Sequence, residues 1–273
     1  MTTTKQITSA SPIGVFDSGL GGLSIWKEIN QLLPYESTIY LADSKNAPYG
    51  EKSKQAIINF SIKNTEYLLS KGCKMIVVAC NTATTNAIKV LRANYNVPFI
   101  GIEPAIKPAA LQSKTNKIGV LATKGTLSSE LFISTSEQFR SSKNIFEVEG
   151  AGLVALIEAG KIEATKPLLK QYLQPLINEG VDHIVLGCSH FPFLIPIIKT
   201  IVPANVKIID SGEAVAKQTK NILEQNHLLN NPVSSTGQKN SSHLFYTNGN
   251  LTLFQNFLKQ INIKSDTVFF EEF

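Results

Sequence analysis

Two stretches of the chain share one layout a little over a hundred residues apart. Gly72-CKMIVVA-Cys80 and Gly180-VDHIVLG-Cys188 each run from a glycine through an apolar strand to a cysteine eight positions on, and the cysteines stand 108 residues apart. An IGVFDSG begins at Ile13 and an IGVLATKG at Ile118, 105 residues apart. Matched strand–loop pairs at nearly one offset indicate a duplicated unit of roughly 100 residues. The rest of the chain says what kind of unit it is. Apolar runs of strand length occur at 13–16, 38–42, 75–79, 99–102, 118–122, 183–187 and 207–209. Helical patterns such as 55–70 and 166–179 separate them. Strands alternating with helices of that length predict parallel α/β layers.

The expected architecture is therefore α/β: two similar parallel-sheet domains related by a pseudo-two-fold duplication. Residues 1–104 plus 214–273 form the first and 105–213 the second, which suits a chain of 273 residues. The polar segment 225–242 reads as a surface loop, and a last helix near 251–260 is expected to pack back on the first half. In such sheets ligands bind beyond the carboxyl ends of strands, so the chemistry belongs just after the apolar runs, in a cleft between the halves.

Apolar residues at 43% and charged residues at 17% supply a core and exclude intrinsic disorder. The longest apolar stretch, 191–198, holds two prolines and is far short of the roughly 20 residues of a bilayer span. The polar start MTTTKQITSASP is unlike a signal peptide. Three cysteines make a disulfide framework improbable and point to a reducing cytoplasm. The net charge is +5, but the basic residues are scattered and arginine occurs only at Arg92 and Arg140. Clustered arginine forks are absent, so no nucleic acid partner is expected.

The two matched cysteines carry the strongest chemical signal. Cys80 precedes Asn81-Thr82-Ala83-Thr84, residues suited to starting a helix, and Cys188 precedes Ser189 and His190. A thiol at a helix N-terminus or beside a histidine is expected to ionise more readily. If the halves face each other, each contributes one cysteine to a shared cleft. Cys73 precedes its strand, at the far end from any ligand, and reads as structural. A zinc site is not expected, because Cys73 and Cys80 are seven apart at opposite strand ends.

Asp17-Ser18-Gly19-Leu20-Gly21-Gly22 follows the first strand without dinucleotide or Walker spacing. Its glycines would let backbone N–H groups approach an anion. Asp17 would suit an ammonium group or a proton-handling role. Pro48-Tyr49-Gly50 is a turn that could equally wall a pocket. Glu103 before Pro104 reads as a turn residue, and Glu158, after the apolar stretch 153–157, as solvent-facing.

Taken together, IGVFDSGLGG, LADSKNAPYG, VVACNTATT, GIEP, GVLAT, VLGCSHFP and DSGEAVA, in this order between Ile13 and Ala216, resemble the glutamate racemases of the aspartate/glutamate racemase family. The resemblance implies a cofactor-independent enzyme with its active site between two α/β domains. It assigns proton transfer to Cys80 and Cys188, assisted by Asp17 and His190. It assigns substrate contacts to Asp17, Ser18, Tyr49, Gly50, Asn81, Thr82, Ser189 and His190, with Glu158 as a further acidic residue. It implies a small-molecule substrate (glutamate), no metal or pyridoxal group, no membrane association, a homodimer, and a place in peptidoglycan synthesis. Ser189 stands where the family commonly has threonine, and Gly150-Ala151-Gly152 where it often has Cys-Pro. The last 50 or so residues carry no motif. An aspartate racemase would share fold and mechanism, and a binding protein with inert cysteines would use the same cleft.

Overall fold

The computed structural model describes residues 7–230, 241–264 and 267–273. In chain order the strands are β1 (Ile13–Asp17), β2 (Thr38–Ala42), β3 (Met75–Val78), β4 (Phe99–Gly101), β5 (Lys117–Ala122), β6 (Asn144–Glu149), β7 (His183–Gly187), β8 (Lys207–Ile209), β9 (His243–Thr247) and β10 (Val268–Phe270). The helices are α1 (Leu23–Leu32), α2 (Lys54–Ser70), α3 (Asn81–Asn94), α4 (Ile106–Gln112), α5 (Lys124–Leu127), α6 (Glu130–Arg140), α7 (Leu153–Glu158), α8 (Lys166–Asn178), α9 (Ile195–Ile198), α10 (Gly212–Gln225) and α11 (Leu251–Gln260).

These strands build two all-parallel sheets, one ordered β10-β9-β2-β1-β3-β4 and the other β6-β5-β7-β8. The run β2-β1-β3-β4 and the run β6-β5-β7-β8 have the same order. Strands β1, β2, β3 and β4 thus correspond to β5, β6, β7 and β8, the duplication expected from the repeated segments. The fold is two parallel-sheet α/β domains.

Both faces of each sheet are covered, which is why the central strands are continuous apolar runs rather than alternating ones. Alternation still decides where each residue goes. Val15 joins a core shared by both domains, whereas Phe16 packs on the outer face of the first sheet. Leu121 joins the shared core, whereas Val120 faces the outer helices of the second domain. That shared core runs through Leu20, Leu121, Val154 and Leu186, so the domains are joined by packing and not only by linkers.

The chain leaves the first sheet after β4 and returns after β8 into α10, which packs on α1. The crossings are tied where Ser211 Oγ donates to the Glu103 carbonyl (2.5 Å). Helix α11 packs on the first domain beside β9 and β10, as expected for the last helix. Three strands go beyond the sequence expectation: β6, β9 and β10. All three lie toward sheet edges, where solvent interrupts the apolar signal. Of the expected loop 225–242, Gln225 ends α10, and 231–240 lie outside the described residues. No helix among the described residues is long and apolar enough to cross a membrane.

Candidate active site

The strand register brings the chemistry together. Because β1 lies between β2 and β3 with Phe16 opposite Val78, the residues just past both strand ends become neighbours. These are Asp17-Ser18 and Cys80-Asn81. In the second domain β5 pairs β7 with Ala122 opposite Gly187, which puts Thr123 beside Cys188. The two sets of strand ends face one narrow cavity. It is lined by Ser18, Tyr49, Gly50, Cys80, Asn81, Thr82, Cys188, Ser189 and His190, all expected from the sequence, by Pro48 of the turn expected as a pocket wall, and by Thr123 and Val154, which were not expected. Thr123 was findable: it stands 105 residues after Ser18, at the equivalent strand end. Val154, on the first turn of α7, follows β6 as the Pro48-Tyr49-Gly50 turn follows β2, at the same offset of 105 from Tyr49.

Cys80 is the N-cap of α3, its Sγ accepting the Ala83 N–H (3.4 Å) and lying 3.8 Å from Ser18 Oγ. The expectation of easy ionisation is corrected here. Burial pushes the Cys80 thiol well up, the Asp17 charge adds to that, and the Ala83 N–H only partly opposes them. The helix N-terminus is outweighed by lost hydration. Cys188 is followed by a 3₁₀ turn, Phe191–Leu194, rather than a long helix, so its main partner is His190, with Nδ1 3.7 Å from Sγ. Cys73 is wholly buried at the other end of β3, its thiol pushed up to about 12 by burial alone.

Asp17 and Glu158 do not line the cavity but stand behind it. Asp17 Oδ2 accepts from Ser189 Oγ (2.8 Å) across the domain boundary, and Oδ1 accepts the Gly19 N–H (2.8 Å). Burial raises the Asp17 carboxyl above the usual range, against the pull of His190 and both hydrogen bonds. Glu158 is not solvent-facing. Its Oε1 lies 2.5 Å from His190 Nε2 and accepts the Leu20 N–H (2.6 Å). Burial disfavours a charged His190, but hydrogen bonds to Cys188 and Glu158 overcome it and hold the imidazole well above its ordinary value.

The glycine loop serves this contact. A Cβ on Gly19 would stand 2.1 Å from Glu158 Oε1, and one on Gly21 would stand 2.2 Å from His190 Nδ1. Only glycine lets the backbone come that near. The partner of those N–H groups is thus the second domain's own carboxylate and imidazole.

Three other expected residues are placed in detail. The Tyr49 hydroxyl is bonded to Asp43 and accepts from Asn64 Nδ2 (3.1 Å), so this residue offers the cavity its ring and backbone. Thr82 Oγ1 lies 3.0 Å from Thr123 Oγ1 and 3.3 Å from Thr126 Oγ1, across the cleft. Asn81 is 2% exposed, and among the described residues neither its Oδ1 nor its Nδ2 has a partner. A buried amide without partners is costly, so this one is aimed at a polar ligand. No group of three or more histidine, cysteine, aspartate or glutamate residues arranged to hold a metal occurs among the described residues.

A family profile described as Asp/Glu/Hydantoin racemase matches residues 13–219. The chain is 48% identical to a glutamate racemase of Ectopseudomonas mendocina over 224 residues, 81% of this chain and 85% of that one. The fold superposes on a glutamate racemase of Bacillus anthracis with a TM-score of 0.84 at 31% identity, covering 97% of this chain and 98% of the other. It superposes on the Francisella tularensis glutamate racemase in complex with D-glutamate with a TM-score of 0.81 at 27% identity, covering 97% and 98%. The chain belongs to the Asp/Glu/hydantoin racemase family and is an amino acid racemase.

Proposed function

We propose that this protein interconverts L- and D-glutamate by a two-base mechanism with no cofactor. The observation that carries the reading is that two cysteines, at equivalent strand ends of two duplicated domains, line one cavity. Racemisation takes the α-proton from one face of a carbon and returns one to the other. Opposed bases do this without turning the substrate. In one direction Cys80 as thiolate abstracts and the Cys188 thiol donates; in the other the roles exchange. Asp17 serves the Cys80 side, and His190, held by Glu158, serves the Cys188 side. A substrate ammonium bound in the cavity adds positive charge near Cys80, which favours its thiolate. The Asn81 amide and the hydroxyls of Ser18 and Thr82 are donors for a carboxylate whose charge grows in the transition state. Glutamate is the substrate favoured by the relatives that the chain resembles.

The same reading makes the protein a supplier of D-glutamate for peptidoglycan, acting as a homodimer in the cytoplasm. Its domains divide as 1–104 plus 214–273 and 105–213. The test is incubation of L-glutamate with purified protein in deuterated water containing a chelator. Loss of optical rotation with deuterium at the α-carbon is expected for wild type and Cys73→Ser, and not for Cys80→Ser or Cys188→Ser. An analogue that eliminates a leaving group after proton loss should still react, with one enantiomer for each inactive mutant. Reaction of both mutants with the same enantiomer would refute the opposed-thiol assignment.

A further inference from the structure

The part of the sequence with the fewest signals lies after residue 219, where the family match ends. Strand β9 lies beside β2, and the turn that follows it, Asn248-Gly249-Asn250, rests on the turn after β2. A Cβ on Gly249 would stand 2.6 Å from Ser44 Cβ, so the two turns are in close contact. One side chain spans the contact: Asn248 Nδ2 donates to Asp43 Oδ1 (2.5 Å), and Asn248 Oδ1 accepts the Lys45 N–H (3.0 Å). Asp43 also accepts from Asn46 Nδ2 (2.9 Å) and, through Oδ2, from the Tyr49 hydroxyl. Asn248 and Asp43 are both buried. The chain from Asp43 to Tyr49 is thus fastened at both ends to one carboxylate, and that carboxylate is fastened to the C-terminal segment. Pro48, Tyr49 and Gly50 form one wall of the cavity.

We propose that Asn248 is a positioning residue for this wall, so that the motif-free C-terminal segment sets the shape of the substrate cavity. Asn248 touches no substrate; it acts through Asp43 and the 44–50 loop. Pro48, Tyr49 and Gly50 carry neither of the two thiols, so displacement of this wall weakens ground state and transition state alike. That signature is a raised KM at unchanged kcat. The proposal rests on the racemase reading only for this kinetic readout.

The experiment compares Asn248→Ala with Asn250→Ala on the same turn. Asn250 caps α11 by accepting the Leu253 N–H (2.9 Å) and, among the described residues, makes no side-chain hydrogen bond to the 44–50 loop, so its loss reports turn destabilisation alone. Losing two hydrogen bonds, one to a charged group, predicts a KM for glutamate about ten-fold higher in Asn248→Ala with kcat within about two-fold. Asn250→Ala should lower Tm and leave KM unchanged. Amide hydrogen exchange over residues 43–50 should rise in the first variant only. Asn248→Asp keeps the shape but sets two carboxylates together, and should raise KM and loop exchange at least as much as Asn248→Ala. Unchanged KM and exchange in Asn248→Ala, or equal changes in Asn250→Ala, would overturn the proposal. If Asn248→Ala does not fold, Asn248→Asp with the KM and exchange of wild type overturns it. If wild type does not turn over glutamate, the racemase reading fails, and the exchange contrast alone decides the role of Asn248.

Discussion

His190 sits between a thiol and a carboxylate, one on each ring nitrogen, and each neighbour favours its charged form. Glu158→Gln keeps the shape of the contact and removes its charge. Because the pKa of His190 is raised in the fold, its proton is kept above the ordinary imidazole range and is lost only when pH passes the raised value. Removing the carboxylate lowers that value. The alkaline limb of kcat/KM should then move to lower pH, with turnover falling on that limb and little changed below it. A pH–rate profile in both directions checks this; an unmoved alkaline limb would show that Glu158 only packs. At this scale the sequence was informative about the cysteines, because repetition at one offset singled them out from Cys73. It was uninformative about Glu158, whose spacing on an apolar helix fits a solvent-facing residue. The contact that buries it comes from a loop 138 residues away. The Tyr49 hydroxyl was invisible for the same reason, since Asn64 and Asp43 reach it from other elements.

Elements buried on both sides were legible and edge elements only in part. Strands β2 and β7 have the bounds that the apolar runs predicted, because water touches neither face of a central strand and its sequence is nearly all apolar; β8, at a sheet edge and partly exposed, was also found, by its two isoleucines. Strand β6 alternates exposed and buried positions with Glu147 and Glu149 outward, and β10 is three residues long, so neither produces a run. One element depends on charge at its start. Asp182, just before β7, accepts from Ser113 Oγ (2.7 Å), the Lys114 N–H (2.6 Å), the Thr115 N–H (2.9 Å) and His183 Nδ1 (2.8 Å). Burial would raise its carboxyl, but those bonds outweigh it and hold the carboxyl well below the usual range. A depressed folded value means stability that is complete above the unfolded value and lost as pH falls through the folded one. Asp182→Asn turns an amide donor toward N–H groups that need an acceptor and should cost about 2 kcal/mol at pH 7. The difference should shrink as pH falls below about 4, where the wild-type carboxylate also begins to lose its advantage. Denaturant midpoints at pH 7 and pH 3 test it, and an equal gap at both would sink it.

At the scale of the whole molecule the duplication was legible, since matched strands at one offset need only the sequence, but the closeness of the two halves was not. Nothing in a linear pattern tells that Ser189 bonds Asp17, that Thr82 meets Thr123 and Thr126, or that a single core runs through both domains. Those contacts narrow the cavity between mostly buried walls, which strengthens every electrostatic interaction inside it and leaves little room for a substrate. Substrate must enter through an opened form, and the core limits how far that form can open. The motion that fits is rotation about the two crossings, 102–105 and 210–212, tied at Ser211 and Glu103. A ligand that bridges the two domains would bind the closed form better and shift the population toward closure. X-ray scattering should therefore give a smaller radius of gyration at saturating glutamate than without it. Amide exchange at Thr82 and at 123–126 should slow in step, while exchange in the outer helices α2 and α8 stays constant. A radius unchanged on saturation, together with unchanged exchange at the threonine cluster, would mean that the closed arrangement already dominates without substrate and that entry does not require this rotation.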